Sequence, residues 1–151
     1  MGRLTEILTL AQQRAQSSGL PYEGALTPNE AAEVLKLAPG SKLIDVRSRA
    51  ELDLVGSMPE AVHAEWMSYP GWHANPHFLN QLKQSVDIEA LMLFISRNGQ
   101  RSHRAAEAAA LAGYRNCYNV LEGFEGEINP ATGHRGELNG WKARGLPWTQ
   151  K

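Results

Sequence analysis

One segment in the second half of the chain, residues 91–121, constrains the fold more than any other. It opens with a continuous apolar run at 91–95 and passes through the polar loop SRNGQR into the alanine-rich stretch RSHRAAEAAALA at 101–112. Gly113 follows, in the position after a helix that favours glycine, and a further strand-like run covers 116–121. A strand, a helix and a strand at this spacing predict a βαβ unit with parallel strands and a right-handed crossover.

The flanking sequence adds elements of the same kind. Apolar residues at helical spacing predict a helix over 3–17, and Thr27-Pro28-Asn29-Glu30 supplies the N-cap, proline and capping acid of a helix over 28–37. The remaining expectations are strands over 42–47 and 61–64, a long loop over 65–75, a helix near 76–84 and one helical turn near 138–143. Because its main strands are apolar on both sides, we predict an α/β fold with a central parallel β-sheet and helices on both faces.

Length, charge and cysteine content narrow the class of protein. At 151 residues the chain suits one main domain, which we place at 27–150 behind an N-terminal helical extension at 1–26. Its formal net charge of −1 gives no global attraction to nucleic acid or to a membrane. The start is too polar for a signal peptide, no apolar run reaches about 18 residues, and the single Cys117 excludes an internal disulfide framework. These features predict a soluble cytoplasmic protein.

The loop at 96–101 joins the strongest strand to the strongest helix. Ligands of open parallel sheets bind outside the carboxyl ends of the strands, so the position of this loop makes it the first candidate site. Gly99 is free to adopt a left-handed conformation, and the successive backbone N–H groups of the loop can then converge on one anion. The N-terminus of the following helix would reinforce that attraction.

The same loop concentrates positive charge. Arg97, Arg101 and Arg104 lie close together, and no acidic residue appears before Glu107. Arginines at a helix start can be ordinary surface charges, but there they oppose the helix dipole. An anionic ligand would offset that cost.

Ser96 is the unexpected residue of this loop. The field of a helix N-terminus and of arginines lowers the pKa of a cysteine and makes it a nucleophile, whereas a serine hydroxyl stays protonated and needs a base. His103 is the nearby candidate base, and no acid is evident to orient it. A serine hydrolase is disfavoured because the G-x-S-x-G elbow is missing. Cys117 is a poor substitute nucleophile because it lies in a predicted buried strand, where cysteine behaves as a small hydrophobe.

Four stretches in this order resemble a single-domain rhodanese-type protein of the thiosulfate sulfurtransferase family: LIDVRSRAEL at 43–52, SRNGQRS at 96–102, YNVLEGF at 118–124 and GLPW at 145–148. The resemblance covers about residues 27–150. The active loop of that family is a cysteine followed by Arg-x-Gly-x-Arg. This chain matches every fixed position except the first, where Ser96 stands.

The resemblance implies a sulfurtransferase. A thiolate at position 96 would take sulfane sulfur from a donor such as thiosulfate, hold it as a persulfide and pass it to a thiophilic acceptor, a thiol or a protein. No cofactor and no metal are implied. The loop from Ser96 to Arg101 is one residue shorter than that of the related cell-cycle phosphatases, which favours sulfur over phosphate. With serine at position 96 the chain is expected to be inactive or nearly so.

The resemblance also assigns residues to the site. The substrate- or anion-binding residues would be Arg97, Asn98, Gly99, Gln100, Arg101 and Ser102. Asp45 and Arg47 would support the loop from beneath without reacting. Trp66, Tyr69 and Trp72 would either wall the mouth of the pocket or serve as core aromatics.

The serine at position 96 has two explanations. Ser96 reflects either a natural loss of the nucleophile, which leaves an anion- or protein-binding module, or a deliberate cysteine-to-serine change, which the intact remainder of the loop favours. The histidines offer weaker candidates. His73 and His77 have the spacing of metal ligands but lack a third ligand, so no metal site is predicted, and His63 and His134 suit structural and turn positions.

Overall fold

Five helices and seven short strands lie within residues 2–150, the part of the chain that the computed structural model describes. The helices are α1 (Arg3–Ser18), α2 (Pro28–Leu37), α3 (Arg49–Leu54), α4 (Phe78–Ser85) and α5 (Gln100–Leu111). The strands are β1 (Gly24–Leu26), β2 (Lys42–Asp45), β3 (Val62–His63), β4 (Met67–Ser68), β5 (His73–Ala74), β6 (Met92–Ile95) and β7 (Cys117–Val120). Within these residues no helix is both long and apolar enough to cross a membrane.

Five of the strands form one parallel sheet in the order β1-β7-β6-β2-β3. The central strand, β6, is completely buried, as expected for a strand covered on both sides. It pairs with β7 through Met92 opposite Cys117 and with β2 through Asp45 opposite Ile95. The predicted βαβ unit of β6, α5 and β7 is therefore confirmed, and so is the central parallel sheet.

Each face of the sheet carries its own hydrophobic core. Under α4 and α5, Phe78, Leu82 and Ala105 pack with the sheet residue Phe94. Under α1 and α2, a second core brings together Ile7, Ala11, Val34, Leu43, Leu93 and Ile95. The expectation of helices on both faces is confirmed. The core beneath α1 also shows that the first helix packs on the sheet. Strand β1 forms one edge of the sheet, where it pairs with β7.

The capping signals in the sequence explain where two of the helices begin. Thr27 and Glu30 form the reciprocal capping box predicted for α2. Ser48 and Glu51 form another, which starts α3, a helix that the sequence prediction does not include. This omission matters because α3 supplies Glu51 to the candidate site.

Three other expectations need correction. The predicted loop at 65–75 contains the short antiparallel hairpin of β4 and β5, with Met67 opposite Ala74. Strand β1 is absent from the sequence prediction, because runs of two or three residues are too short to show a period. The turn expected near 138–143 lies slightly later, where the Arg144 N–H donates to the Gly140 carbonyl at 3.1 Å.

Candidate active site at the end of β6

Position 96 lies directly after β6 and beneath the N-terminus of α5. The Ser96 side chain is completely buried. Gly99 is the residue that caps α5, and its φ of 97° lies in the left-handed region that favours glycine. This conformation turns the chain sharply from strand to helix and directs loop amides towards position 96.

Two backbone N–H groups point at the Ser96 side chain. The Gly99 and Ser102 amides donate to its Oγ at 3.2 and 3.1 Å. The Gln100 amide instead donates to the side chain of Asn98, at 3.2 Å. The site is thus an amide pair at the start of a helix, an arrangement that stabilises negative charge on the atom between them.

A buried polar network lies behind this amide pair. Ser102 Oγ is 3.0 Å from Ser96 Oγ and donates its hydrogen to Asn119 Oδ1 at 2.6 Å. Asn119 Nδ2 in turn donates to the Gly99 carbonyl at 3.2 Å. The sequence prediction does not include Asn119, although a polar residue within the buried strand CYNV is a recognisable signal.

The chain that follows β7 holds the loop from the other side. The Phe124 N–H donates to the Ser96 carbonyl at 2.8 Å, and the Glu125 N–H donates to the Arg97 carbonyl at 2.9 Å. Gly123 has a φ of 68°, and a Cβ at this position would collide with the Ser96 carbonyl. The glycine of the motif YNVLEGF therefore lets two backbone segments meet beneath the site.

Arg101 is balanced by an acid of the chain itself. Its two terminal nitrogens each donate to Glu51 at 2.7 Å, and its guanidinium lies 4.9 Å from the ring centroid of Trp72. Burial on its own would raise the pKa of Glu51, but the hydrogen bonds and charge of Arg101 outweigh burial and hold that pKa below its usual value. Glu51 therefore balances the positive charge of Arg101 within the chain, without an external anion.

Arg97 is arranged differently. Its Nε is buried and has no hydrogen-bond partner among residues 2–150. The residue lines a cavity of about 550 Å³ together with Tyr69, Trp72 and Arg135. Trp66, the third aromatic residue considered as a pocket wall, does not line this cavity. It packs edge-on against Phe78 on the hydrophobic core, with 5.1 Å between the two ring centroids.

Asp45 and Arg47 form a completely buried ion pair at the end of β2. Arg47 donates to Asp45 through Nε at 3.0 Å and Nη2 at 2.8 Å, and Nη2 also donates to the Gly56 carbonyl at 2.8 Å. The Arg47 guanidinium lies 4.3 Å from the ring centroid of Phe124, the residue whose amide holds the Ser96 carbonyl. The pair is thus connected to the base of the loop without reaching position 96.

The remaining candidates lie apart from the amide pair. Cys117 is buried and donates to the Tyr114 carbonyl at 3.3 Å, and burial raises the pKa of its thiol to about 12. His103 Nδ1 is 2.6 Å from the Tyr22 hydroxyl, and His63 Nε2 is 2.8 Å from the Arg47 carbonyl. Across residues 2–150, no three His, Cys, Asp or Glu side chains cluster closely enough to hold a metal ion.

Fold and site together define an α/β domain in which two loop amides converge on one side chain at the carboxyl end of the central strand. The family model of the Rhodanese-like domain matches residues 27–127, about two thirds of the chain. The chain therefore belongs to the rhodanese-like family, as the four sequence motifs indicate.

Relatives and solved structures agree with this assignment. The uncharacterized RP600 homolog of Rickettsia rickettsii is 35% identical over 108 residues, which cover 70% of this chain and 80% of the relative. The crystal structure of Rv0390 from M. tuberculosis is 40% identical, with a TM-score of 0.79 over 86% of this chain and 99% of the other. The polysulfide-sulfur transferase homodimer of Wolinella succinogenes shares the fold at 19% identity, with a TM-score of 0.59 over 100% of this chain and 95% of the other.

Proposed function

We propose that this domain is a sulfurtransferase framework whose reacting group is a persulfide at position 96, and that Ser96 leaves the chain inactive or nearly so. The observation that carries the proposal is the convergence of the Gly99 and Ser102 amides on the side-chain atom of residue 96. A sulfur atom there would sit at the N-terminus of α5, an environment that lowers the pKa of a cysteine from about 8.5 to as little as about 3.5–7.5.

The proposed chemistry consists of two sulfur transfers. With cysteine at position 96, the thiolate attacks the outer sulfur of thiosulfate, the sulfur–sulfur bond of the donor breaks, and sulfite leaves with the bonding electrons. The resulting persulfide is then attacked at its terminal sulfur by a thiophilic acceptor, and the original thiolate is restored. The amide pair supports both steps because each begins or ends with negative charge on sulfur at this position.

Ser96 cannot take over this role. A serine hydroxyl has one hydrogen and two lone pairs. The lone pairs accept from the Gly99 and Ser102 amides, and the hydrogen is directed to Ser102 Oγ, which is no base. The hydroxyl therefore has no route to an alkoxide, and the expected activity of the chain is negligible.

The substrate is proposed to enter through the cavity beside Arg97. Arg97, whose buried Nε has no hydrogen-bond partner among residues 2–150, would orient the anionic end of a sulfane donor, and Tyr69 and Trp72 give the cavity an aromatic side. Arg101 contributes indirectly, since its pairing with Glu51 fixes the start of α5 against α3. The buried, unpaired Cys117 suits a reducing compartment, so we place this activity in the cytoplasm.

The test is to restore the nucleophile. The S96C variant is expected to convert thiosulfate and cyanide into thiocyanate, and S96A, a matched control of similar size, is expected to show none. In S96C, Arg97→Ala is expected to raise the KM for thiosulfate about tenfold or more, because one charge-assisted contact is lost. A folded S96C protein that accumulates no persulfide on mass spectrometry and produces no thiocyanate would contradict the proposal.

A second function is a non-catalytic module that binds a small anion. The completed hydrogen bonds of Ser96 favour a non-catalytic role, and the Arg97 Nε, which has no partner among residues 2–150, favours anion binding beside the loop. Calorimetric titration of the unmodified chain with thiosulfate or sulfate tests this function. Binding that disappears in R97A, combined with an inactive S96C, would support the module in place of the transferase.

A further inference from the structure

Asn119 is the polar member of an otherwise apolar strand. Its neighbours on β7, Tyr118 and Val120, lie within the hydrophobic core, and Asn119 itself is only 3% exposed. Burying an amide is costly unless each of its polar atoms has a partner. Both atoms of this amide find their partners in the loop at position 96, through Gly99 and Ser102.

The orientation of the Asn119 amide follows from the Gly99 carbonyl. A carbonyl oxygen can only accept, so the atom of Asn119 that faces it at 3.2 Å has to be the NH₂ group. The opposite atom, Oδ1, then faces Ser102 Oγ at 2.6 Å and can only accept. Ser102 consequently gives its single hydrogen to Asn119.

This orientation decides what Ser102 presents to position 96. With its hydrogen directed at Asn119, Ser102 Oγ turns a lone pair towards the atom of residue 96, 3.0 Å away. A lone pair accepts a hydrogen from a hydroxyl or a thiol but repels a negative charge. The two amides and Ser102 Oγ therefore act in opposite directions on an ionisable group at this position.

We infer that Asn119 is a positioning residue that, through the Ser102 hydroxyl, offsets part of the stabilisation that the two amides give to a negative charge at position 96. The inference rests on the proposed placement of the reacting group at position 96, but it does not require sulfur transfer to occur. In the chain as it stands, Asn119 gives the Ser96 hydroxyl the acceptor it needs. In an S96C protein, the same residue would withhold one hydrogen bond from the thiolate.

The experiment is a double-mutant cycle in which the measured quantity is the pKa of the thiol introduced by S96C. The ultraviolet absorbance of the thiolate and the pH dependence of alkylation both measure this pKa. Cys117 does not interfere, because its pKa of about 12 keeps it protonated. Asn119→Leu frees the Ser102 hydroxyl to donate to the thiolate and is expected to lower the thiol pKa by about 1 unit. Asn119→Asp keeps an acceptor in front of Ser102 and is expected not to lower it.

The controls separate this effect from a general disturbance of the fold. When Ser102→Ala is added to S96C, Asn119→Leu is expected to have no further effect on the thiol pKa, because the hydroxyl that it releases is gone. Asn116→Leu, just before β7, removes a hydrogen bond to the Glu89 carbonyl and is expected to leave the pKa unchanged. If Asn119→Leu does not fold, as judged by circular dichroism, Asn119→Ala takes its place in the cycle.

Two results would overturn the inference. One is a pKa in the folded Asn119 variant that is unchanged or higher than in S96C alone. The other is a pKa decrease of the same size with and without Ser102. An S96C protein that shows the expected cycle but makes no thiocyanate would refute sulfur transfer and leave the role of Asn119 standing.

Discussion

The two ends of α5 give buried polar groups opposite environments. At its start, Ser96 follows β6 and receives the N–H groups of Gly99 and Ser102. Beyond its end, Cys117 begins β7 and meets the carbonyl of Tyr114. Both side chains are completely buried, and both belong to the βαβ unit that dominates the sheet.

The difference shows that burial alone does not decide the reactivity of a side chain. N–H groups and a helix N-terminus stabilise an anion, whereas an apolar core and a carbonyl acceptor stabilise the protonated thiol. Burial therefore keeps the Cys117 thiol protonated at neutral pH, whereas the amides that converge on position 96 meet a serine hydroxyl.

Alkylation rates offer the largest contrast. At neutral pH, the thiol introduced by S96C is expected to react with iodoacetamide about a hundredfold faster than Cys117. Burial raises the pKa of Cys117 to about 12, whereas the amide pair is expected to keep the pKa of the introduced thiol at or below about 8.5. The lower nucleophilicity of the less basic thiolate offsets part of its larger population. Mass spectrometry of peptides from the folded protein measures both rates. Equal rates would show that the two ends of α5 do not differ as described.

The buried ion pair beneath the loop provides the next test. Asp45→Ala leaves the Arg47 guanidinium buried without its partner, so the free energy of unfolding is expected to fall by about 3–5 kcal/mol in urea titrations. Glu33→Ala, which breaks the exposed pair with Arg3, is the control and is expected to change little. A small effect of Asp45→Ala would mean that the polar end of the sheet does not depend on this pair.

The Glu51–Arg101 pair predicts a dependence on pH. Because the pKa of Glu51 is lower in the folded protein, its carboxylate adds stability above the unfolded pKa of about 4.3, and this contribution is lost as the pH falls through the folded value. Glu51→Gln keeps a side-chain oxygen that can accept from the Ser48 N–H, as Glu51 does in the capping box, but removes the negative charge.

We expect this variant to lose about 1–2 kcal/mol at neutral pH and to show a flatter stability profile in acid. Urea titrations between neutral and acidic pH measure both effects. A variant that keeps the original acid profile would show that another carboxylate causes it.

Cys117 gives the smallest expected effect. Replacing it with alanine in the S96C background removes one buried sulfur and is expected to cost about 1 kcal/mol of stability. Thiocyanate production is expected to stay unchanged, because Cys117 lies at the amino end of β7, far along the sheet from the loop. A large loss of turnover in a folded protein would assign Cys117 a role in the reaction.

Strong local signals account for the part of the fold that the sequence predicts. Helices α1 and α2 end or begin at glycine and capping residues, and β6 and α5 carry long, clear patterns. Strand β1 and the hairpin of β4 and β5 are too short for such a pattern. The capping box of Ser48 and Glu51 is present in the sequence, and recognising it would have predicted α3.

The candidate site also has a part that local sequence predicts and a part that it does not. The loop, its glycine and its position at the end of β6 follow from contiguous residues. The pairing of Arg101 with Glu51 and the contact of Asn119 with Ser102 join residues that are 50 and 17 positions apart. The different surroundings of Trp66 and Trp72 also depend on tertiary contacts, with Phe78 for Trp66 and with Arg101 for Trp72.

By itself, the sequence determined the parallel α/β architecture and the location of the loop, because hydrophobic period, helix caps and turn glycines act over a few neighbouring residues. The resemblance of four short motifs indicated the family. Only the tertiary structure decided which arginine is balanced within the chain and which way the hydrogen of Ser102 points. Those outcomes depend on side chains brought together from α3, α5 and β7, and a hydrogen bond or ion pair exists only when both partners lie within about 3 Å.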